Sequence, residues 1–383
     1  GIDDIGLVGG KNASLGEMIT QLGASGVKVP FGFASTSTAY RDFIEQNGLK
    51  EPIKEQLDHL NIEDIHSLQK CGSAIRKIIL STPLHEALKD ELKEAYRELS
   101  RYYKCEMVDV AVRSSATAED LPEASFAGQQ ESYLNVSGVE ALYESVHHCI
   151  ASLFTNRAIS YRASRGYDHF SVALCVGVQK MVRSDKASSG VMFTIDTESG
   201  SPELIMINSI WGLGENIVGG TVTPDEFYLF KPTLKKGHHA ILKHQIGSKK
   251  MKMIYSQEEG NRVLNIPTSQ EEQEAFSLSD DELLVLGEYG LKIEEHYSQK
   301  AGLQRPMDIE WAKDANDNKL YIVQARPETV QSKLKNNSTI EQYSINPPKN
   351  TKILTKGKAV GEKIGAGKVH IIHDTSEFDT FKD

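Results

Sequence analysis

The segment 306–326 alternates so regularly between apolar and polar residues that a hairpin is the simplest way to bury one face of it. Along Met307-Asp308-Ile309-Glu310-Trp311, alternation puts Asp308 and Glu310 on one face and Met307, Ile309 and Trp311 on the other. On the returning stretch, Gln324 and Arg326 share a face, while Tyr321, Val323 and Ala325 share the opposite one. Matching the apolar faces forces a register whose paired residue numbers sum to an even value. One such pairing sets Glu310 opposite Gln324 and Asp308 opposite Arg326. The plainer reading is a solvent-facing sheet with a cross-strand ion pair. The sharper one is chemical: two carboxylates and an amide oxygen are hard ligands suited to Mg²⁺, which also takes phosphate oxygens and water. Arg326 beside them could then stabilise charge developing on a transferring phosphoryl group. Four polar groups converging opposite a clean apolar face favour this second reading.

A second constellation runs over residues 112–130. Asp109-Val110-Ala111-Val112 reads as a buried strand, so Arg113 is expected where strand gives way to loop, followed by Ser114, Ser115 and a Ser-Phe-Ala-Gly turn at 125–128. Small residues leave backbone N–H groups open to a ligand, and a guanidinium fork matches phosphate geometry. A surface loop with a structural Arg–carboxylate pair is the alternative.

Gly9-Gly10-Lys11 precedes a helical pattern over 11–22, and a helix N-terminus with a mobile cation favours an anion. The spacing is not that of a P-loop, and a Gly-rich helix cap explains it as well. Val176-Gly177-Val178-Gln179-Lys180-Met181-Val182 reads either as a strand ending beside an adenine edge or as an ordinary strand with Lys180 at its margin. The Gly-rich connection 210–216 fits a cleft lining, a hinge or a tight turn, and takes no dinucleotide role.

The 383 residues exceed one average domain. A formal charge of −10 argues against coating nucleic acid, so any anionic ligand is held by a few placed cations. Cys71, Cys105, Cys149 and Cys175 lack metal spacing and fit reduced, structural thiols. No apolar run approaches a membrane span and no export signal is visible, so cytoplasm is the expected location. Because the chain begins at Gly1, a missing native start is also expected. Helical patterns cover 37–104, 139–165 and 270–301, and strand patterns cover 171–183, 189–195, 203–209, 226–230 and 240–246. Residues 331–350 turn polar and read as a linker. No Ser/His/Asp or Cys/His set supports nucleophilic chemistry.

Taken in order, these segments resemble the N-terminal nucleotide-binding part of the phosphoenolpyruvate synthase family (pyruvate, water dikinases). The resemblance spans nearly the whole chain. It rests on residues 9–18, the run 113–130, Trp211-Gly212-Leu213-Gly214-Glu215 with Pro224-Asp225-Glu226-Phe227, and Gln324-Ala325-Arg326-Pro327. It implies an α+β, ATP-grasp-like fold with two subdomains, 1–170 and 171–330, and a nucleotide between them. After the linker, 351–383 would be the truncated start of a swivelling phosphohistidine domain. Residue by residue, the resemblance implies that Lys11 and Arg113 bind ATP phosphates, with Ser125, Gly128 and Gln129 in a lid over them. Gln179, Lys180 and Met181 would border the adenine, Asp308, Glu310 and Gln324 would hold Mg²⁺, and Arg326 would assist transfer.

The family makes phosphoenolpyruvate, AMP and phosphate from ATP, pyruvate and water, through a histidine on the swivelling domain. His370 and His373 do not match that acceptor, so a fragment holding the ATP half-site is expected, unable to complete the reaction unaided. Its expected partners are ATP, with pyruvate and water served by further domains, and a second copy in the full-length protein; nucleic acid and membrane are not expected. Pyruvate phosphate dikinase, a rifampin-type phosphotransferase and a non-catalytic ATP sensor remain open as alternatives.

Overall fold

The computed structural model describes residues 1–117, 120–121, 124–125, 132–256, 262–329, 351–354 and 365–371, with 120–121 and 124–125 described by backbone only. Its strands are β1 (Gly32–Ala34), β2 (Val110–Ala116), β3 (Asp120–Leu121), β4 (Ala124–Ser125), β5 (Ser132–Val136), β6 (Leu174–Lys180), β7 (Ser188–Phe193), β8 (Leu204–Trp211), β9 (Asp225–Phe230), β10 (Ile241–Gln245), β11 (Met251–Tyr255), β12 (Val263–Pro267), β13 (Met307–Lys313) and β14 (Leu320–Pro327). The helices are α1 (Ile5–Val8), α2 (Gly10–Glu17), α3 (Ser37–Gln46), α4 (Lys50–Asp58), α5 (Ile65–Ser81), α6 (Glu86–Tyr102), α7 (Val139–Ser152), α8 (Asn156–Ser164), α9 (Glu215–Val218), α10 (Lys231–Leu234), α11 (Gln270–Glu274) and α12 (Asp280–Ala301). This is an α+β chain that divides into two units, 1–334 and 335–383. In the second unit the described residues, 351–354 and 365–371, are exposed and lie in neither helix nor strand.

The first unit carries two larger antiparallel sheets, of order β1-β6-β2-β5 and β10-β9-β8-β7-β13-β14, beside the two-stranded pairs β11-β12 and β3-β4. Small and β-branched residues make β2 a central strand, buried at every position but Arg113. Its outer face of helices follows from 3.6-residue spacing: in α6, Leu92, Tyr96 and Leu99 recur at one side and pack into a core with Val110, Val112, Val176 and Val178. The second sheet packs on α12, which opens with a reciprocal Ser279–Glu282 cap and stops at left-handed Gly302. Leu283, Leu286 and Ile293 from α12 meet Ile207, Leu229, Ile309 and Ile322 there. A small third cluster of Ala111, Leu134, Met181 and Leu213, with Met253, Tyr255 and Val263 against it, lies between the sheets.

Several details differ from the pattern read in the sequence. The strand β6 pairs within the first sheet, so the shift to strand character near residue 170 precedes the change of sheet, which falls between Lys180 and Ser188. Met18, Leu22 and Val27 enter the second core from the start of the chain. The pattern over 139–165 is two helices, broken where Thr155 accepts a hydrogen bond from the Ala158 amide at 3.3 Å. The strands β11 and β12 were not visible as a pattern, and they pair over five positions. Among the described residues, no helix is long and apolar enough to cross a membrane.

Candidate functional site

The hairpin β13–β14 has the register read from its alternation over its first half: Asp308 faces Arg326 and Glu310 faces Gln324. Arg326 Nη2 and Nε donate to Asp308 Oδ2 at 2.7 and 2.9 Å, and Gln324 Nε2 donates to Glu310 Oε1 at 3.2 Å. A bulge between Glu310 and Trp311 then shifts the pairing, so Trp311 meets Ile322 and Ala312 meets Tyr321. This corrects the expected apolar face of the return strand. Leu320, Ile322 and Ala325 enter the core, Tyr321 Oη donates to Asp317, and Val323 turns toward the site. Burial pushes the Asp308 carboxyl up, and Arg326 opposes that only in part.

Arg113 projects from within β2, which continues to Ala116, so the expected strand end at residue 112 is also corrected. Its Nη1 lies 3.6 Å from Glu310 Oε2 and donates to the Val323 carbonyl at 3.4 Å, while its buried Nε has no hydrogen-bond partner among the described residues. Glu215, opening α9, is the site residue that sequence reading left without a role. Burial pushes its carboxyl up against the pull of Arg113, with Glu310 adding repulsion. An acid directly after Gly212-Leu213-Gly214 was the available signal.

Lys11 comes to the same place because α2 is fastened to both sheets. Gly9 has φ of 78°, and a Cβ there would stand 2.3 Å from Ser115 O. That contact sets the helix start against β2, where the Asn12 amide donates to Ser115 Oγ at 3.3 Å and Lys11 Nζ to Ser114 O at 3.4 Å. On the other side, Ser14 Oγ donates to Ala325 O at 2.6 Å in β14.

Two cavities adjoin these groups. The smaller, about 70 Å³, is lined by Leu134, Lys180, Met181, Leu213, Glu215 and Glu310 among others. The larger, about 370 Å³, is lined by Lys11, Asn12, Leu15, Phe33, Val178 and Gln324 among others. Arg113, Gln179 and Val323 border both. Lys180 is turned along its strand, with Nζ 3.3 Å from Asp109 Oδ1 and donating to Met181 O at 2.7 Å. An apolar recess bounded by placed cations suits a nucleotide, whose base is apolar on its faces and whose phosphates are anionic.

For a metal, Asp308, Glu310 and Gln324 offer two carboxylates and an amide on one face of the hairpin, with Gln324 Nε2 turned to Glu310 Oε1 and Arg326 donating to Asp308 Oδ2. No group of three or more His, Cys, Asp or Glu residues forms a cage among the described residues. Such a sparse donor set fits Mg²⁺, which keeps water and phosphate oxygens in its shell, better than an all-protein site. Gly128 and Gln129 lie outside the described residues, and Ser125 is described only as backbone pairing with Asp120 in β4–β3.

A family model described as "Pyruvate phosphate dikinase, AMP/ATP-binding domain" matches residues 5–346. The chain is 53% identical to a phosphoenolpyruvate synthase of Helicobacter pylori over 384 residues, covering 99% of this chain and 47% of that protein. It is 50% identical to one of Aquifex aeolicus, covering 100% of this chain and 45% of the relative. With one of Escherichia coli the identity is 51%, over 99% of this chain and 46% of the relative. The chain thus spans about half the length of the curated relatives it matches.

Proposed function

The chain belongs to the pyruvate phosphate dikinase AMP/ATP-binding domain family, and from that premise we propose that it is the MgATP half-site of a phosphoenolpyruvate synthase, with an ATP-grasp-like fold. In this reading it passes a phosphoryl group from ATP to a histidine on a swivelling domain, in the overall conversion of ATP, pyruvate and water to AMP, phosphoenolpyruvate and phosphate. The observation that carries the proposal is the pairing of Asp308 with Arg326 and Glu310 with Gln324 on the face that Arg113 reaches from the other sheet.

The adenine lies in the recess bordered by Gln179, Lys180 and Met181, and the phosphates run toward Lys11 and Arg113. Lys11 supplies a mobile point charge and Arg113 a planar fork. Asp308, Glu310 and Gln324 would hold magnesium, which would draw charge from the phosphate oxygens. Arg326, kept in place by Asp308, meets the charge that grows on the transferring group. Glu215 adds a second carboxyl whose charge acts on Arg113.

Phosphorus NMR on the full-length protein, given MgATP and pyruvate without added phosphate, tests this. Appearance of AMP, phosphate and phosphoenolpyruvate is expected. Turnover only after adding phosphate, or only with rifampin, would replace the synthase reading by one of its relatives. Unchanged ATP under all three conditions would leave a nucleotide sensor.

A further inference from the structure

Arg162 carries a charge into the apolar core beneath the first sheet. The residue is 0% exposed, on α8, with its guanidinium 5.3 Å from the centroid of the Phe154 ring. Its Nε donates to His169 Nδ1 at 3.0 Å. Nη1 and Nη2 are buried and have no hydrogen-bond partner among the described residues. Burial depresses the guanidinium to about 10, and the other group acting on it is the Tyr40 hydroxyl. Tyr40, on α3, is 5% exposed, and its Oη also lacks a hydrogen-bond partner among the described residues.

An arginine with no carboxylate partner among the described residues is the costly form of a buried charge, because its lost hydration is not repaid there. The unmet groups can all donate: N–H on both Nη atoms and the O–H of Tyr40. Water could accept from them but would leave the charge uncompensated. A small anion does both. Neither Arg162 nor Tyr40 lines the two cavities around Arg113, and Tyr40 and Phe154 belong to the helical core with Val112, Val176 and Val178. Anything bound here is therefore separate from the nucleotide.

We propose that Arg162 and Tyr40 form a buried site for a small inorganic monoanion of the chloride class, joining α3 to α8 and to the link that carries His169. The anion would neutralise the guanidinium and tie these elements together, contributing to stability and not to the chemistry.

Crystals of the full-length protein grown with sodium bromide in place of chloride, recorded at the bromine absorption edge, give the direct test. An anomalous peak within hydrogen-bonding reach of both Nη atoms is expected; featureless or water-only density there overturns the proposal. In solution, chloride and bromide should raise the melting temperature above that in gluconate at equal ionic strength. Tyr40→Phe should weaken the apparent anion affinity about tenfold, as loss of a hydrogen bond to a charged group predicts, and Arg162→Met should abolish the effect. If Arg162→Met does not fold, Tyr40→Phe decides, and a halide response unchanged in that variant overturns the proposal.

Discussion

Arg113 and Glu310 belong to different sheets, yet Nη1 of one lies 3.6 Å from Oε2 of the other. Each is only partly exposed, at 20% and 24% of its side chain, so the contact closes the space between the sheets. If Glu310 also holds magnesium, it divides its charge between metal and guanidinium. Glu310→Gln should then remove most of the gain that Mg²⁺ gives to ATP binding, while binding of metal-free ATP changes little or improves as Arg113 is released. Calorimetric titration with and without Mg²⁺ separates the two effects. A variant that still gains the full benefit of Mg²⁺ would exclude Glu310 as a ligand.

Arg326 is expected to act on transfer more than on binding. Arg326→Ala in the full-length protein should lower phosphoryl transfer by at least about 10²-fold, the usual cost of removing a donor aimed at developing charge. The dissociation constant for MgATP should change by less than about tenfold. Asp308 adds a second signature. Its carboxyl is pushed up by burial and restrained by Arg326, so losing the guanidinium should raise it further. Activity of the variant should therefore fall off at a higher pH on the acid side than activity of the parent. Equal losses in binding and transfer, with an unmoved acid limb, would reduce Arg326 to a structural partner of Asp308.

The hairpin was legible because a two-residue period leaves few registers, and Asp308, Glu310, Gln324 and Arg326 were brought together as the alternation required. What alternation could not show was the bulge after Glu310, which costs one residue of register and turns Val323 rather than Ile322 toward the site. Arg113 was recognised by its chemistry but set at a strand end, since Ser114 and Ser115 look like loop residues until burial in the first sheet is known. Glu215 was missed because its local signal, an acid after Gly212-Leu213-Gly214, assigns no role by itself: its significance comes from Arg113 and Glu310, about 100 residues away on either side. The hairpin of β11 and β12 was hidden for a similar reason. Met253 and Tyr255 pack against a small cluster whose members come from four separate stretches of chain.

Gly9 should be intolerant of any side chain for two separable reasons. Its φ of 78° is strained for an L-residue, and a Cβ would collide with Ser115 at 2.3 Å. Gly26 has φ of 94° with nothing near its would-be Cβ, so it reports backbone strain alone. Gly26→Ala should cost roughly 1–2 kcal/mol in urea unfolding, and Gly9→Ala clearly more. Gly9→Ala should also weaken ATP binding, since it pushes the start of α2 and Lys11 away from β2. Equal costs at the two positions would mean that the close approach at Ser115 is not a constraint.

Acid stability should depend on Glu17 at the end of α2. The residue is 3% exposed, and its carboxylate takes His296 Nε2 at 2.8 Å, Lys300 Nζ at 2.9 Å and the Ile2 amide at 3.2 Å. Burial alone would raise the carboxyl, but Lys300, His296 and the Ile2 amide outweigh it and hold it at about 2 against an ordinary 4.5. The unfolded chain therefore binds a proton that the folded chain refuses between those two values. The sign follows: this contribution is fully present above pH 4.5 and is lost as pH falls through 2. Its size is on the order of 3 kcal/mol for a shift of this extent. Glu17→Gln should lower stability at neutral pH and flatten the stability curve between pH 4.5 and 2, measured by urea unfolding at a series of pH values. The loss at neutral pH alone would not identify the cause, because any damaged helix end gives it. The flattened acid limb does, since only removal of a titrating group takes away the pH dependence itself.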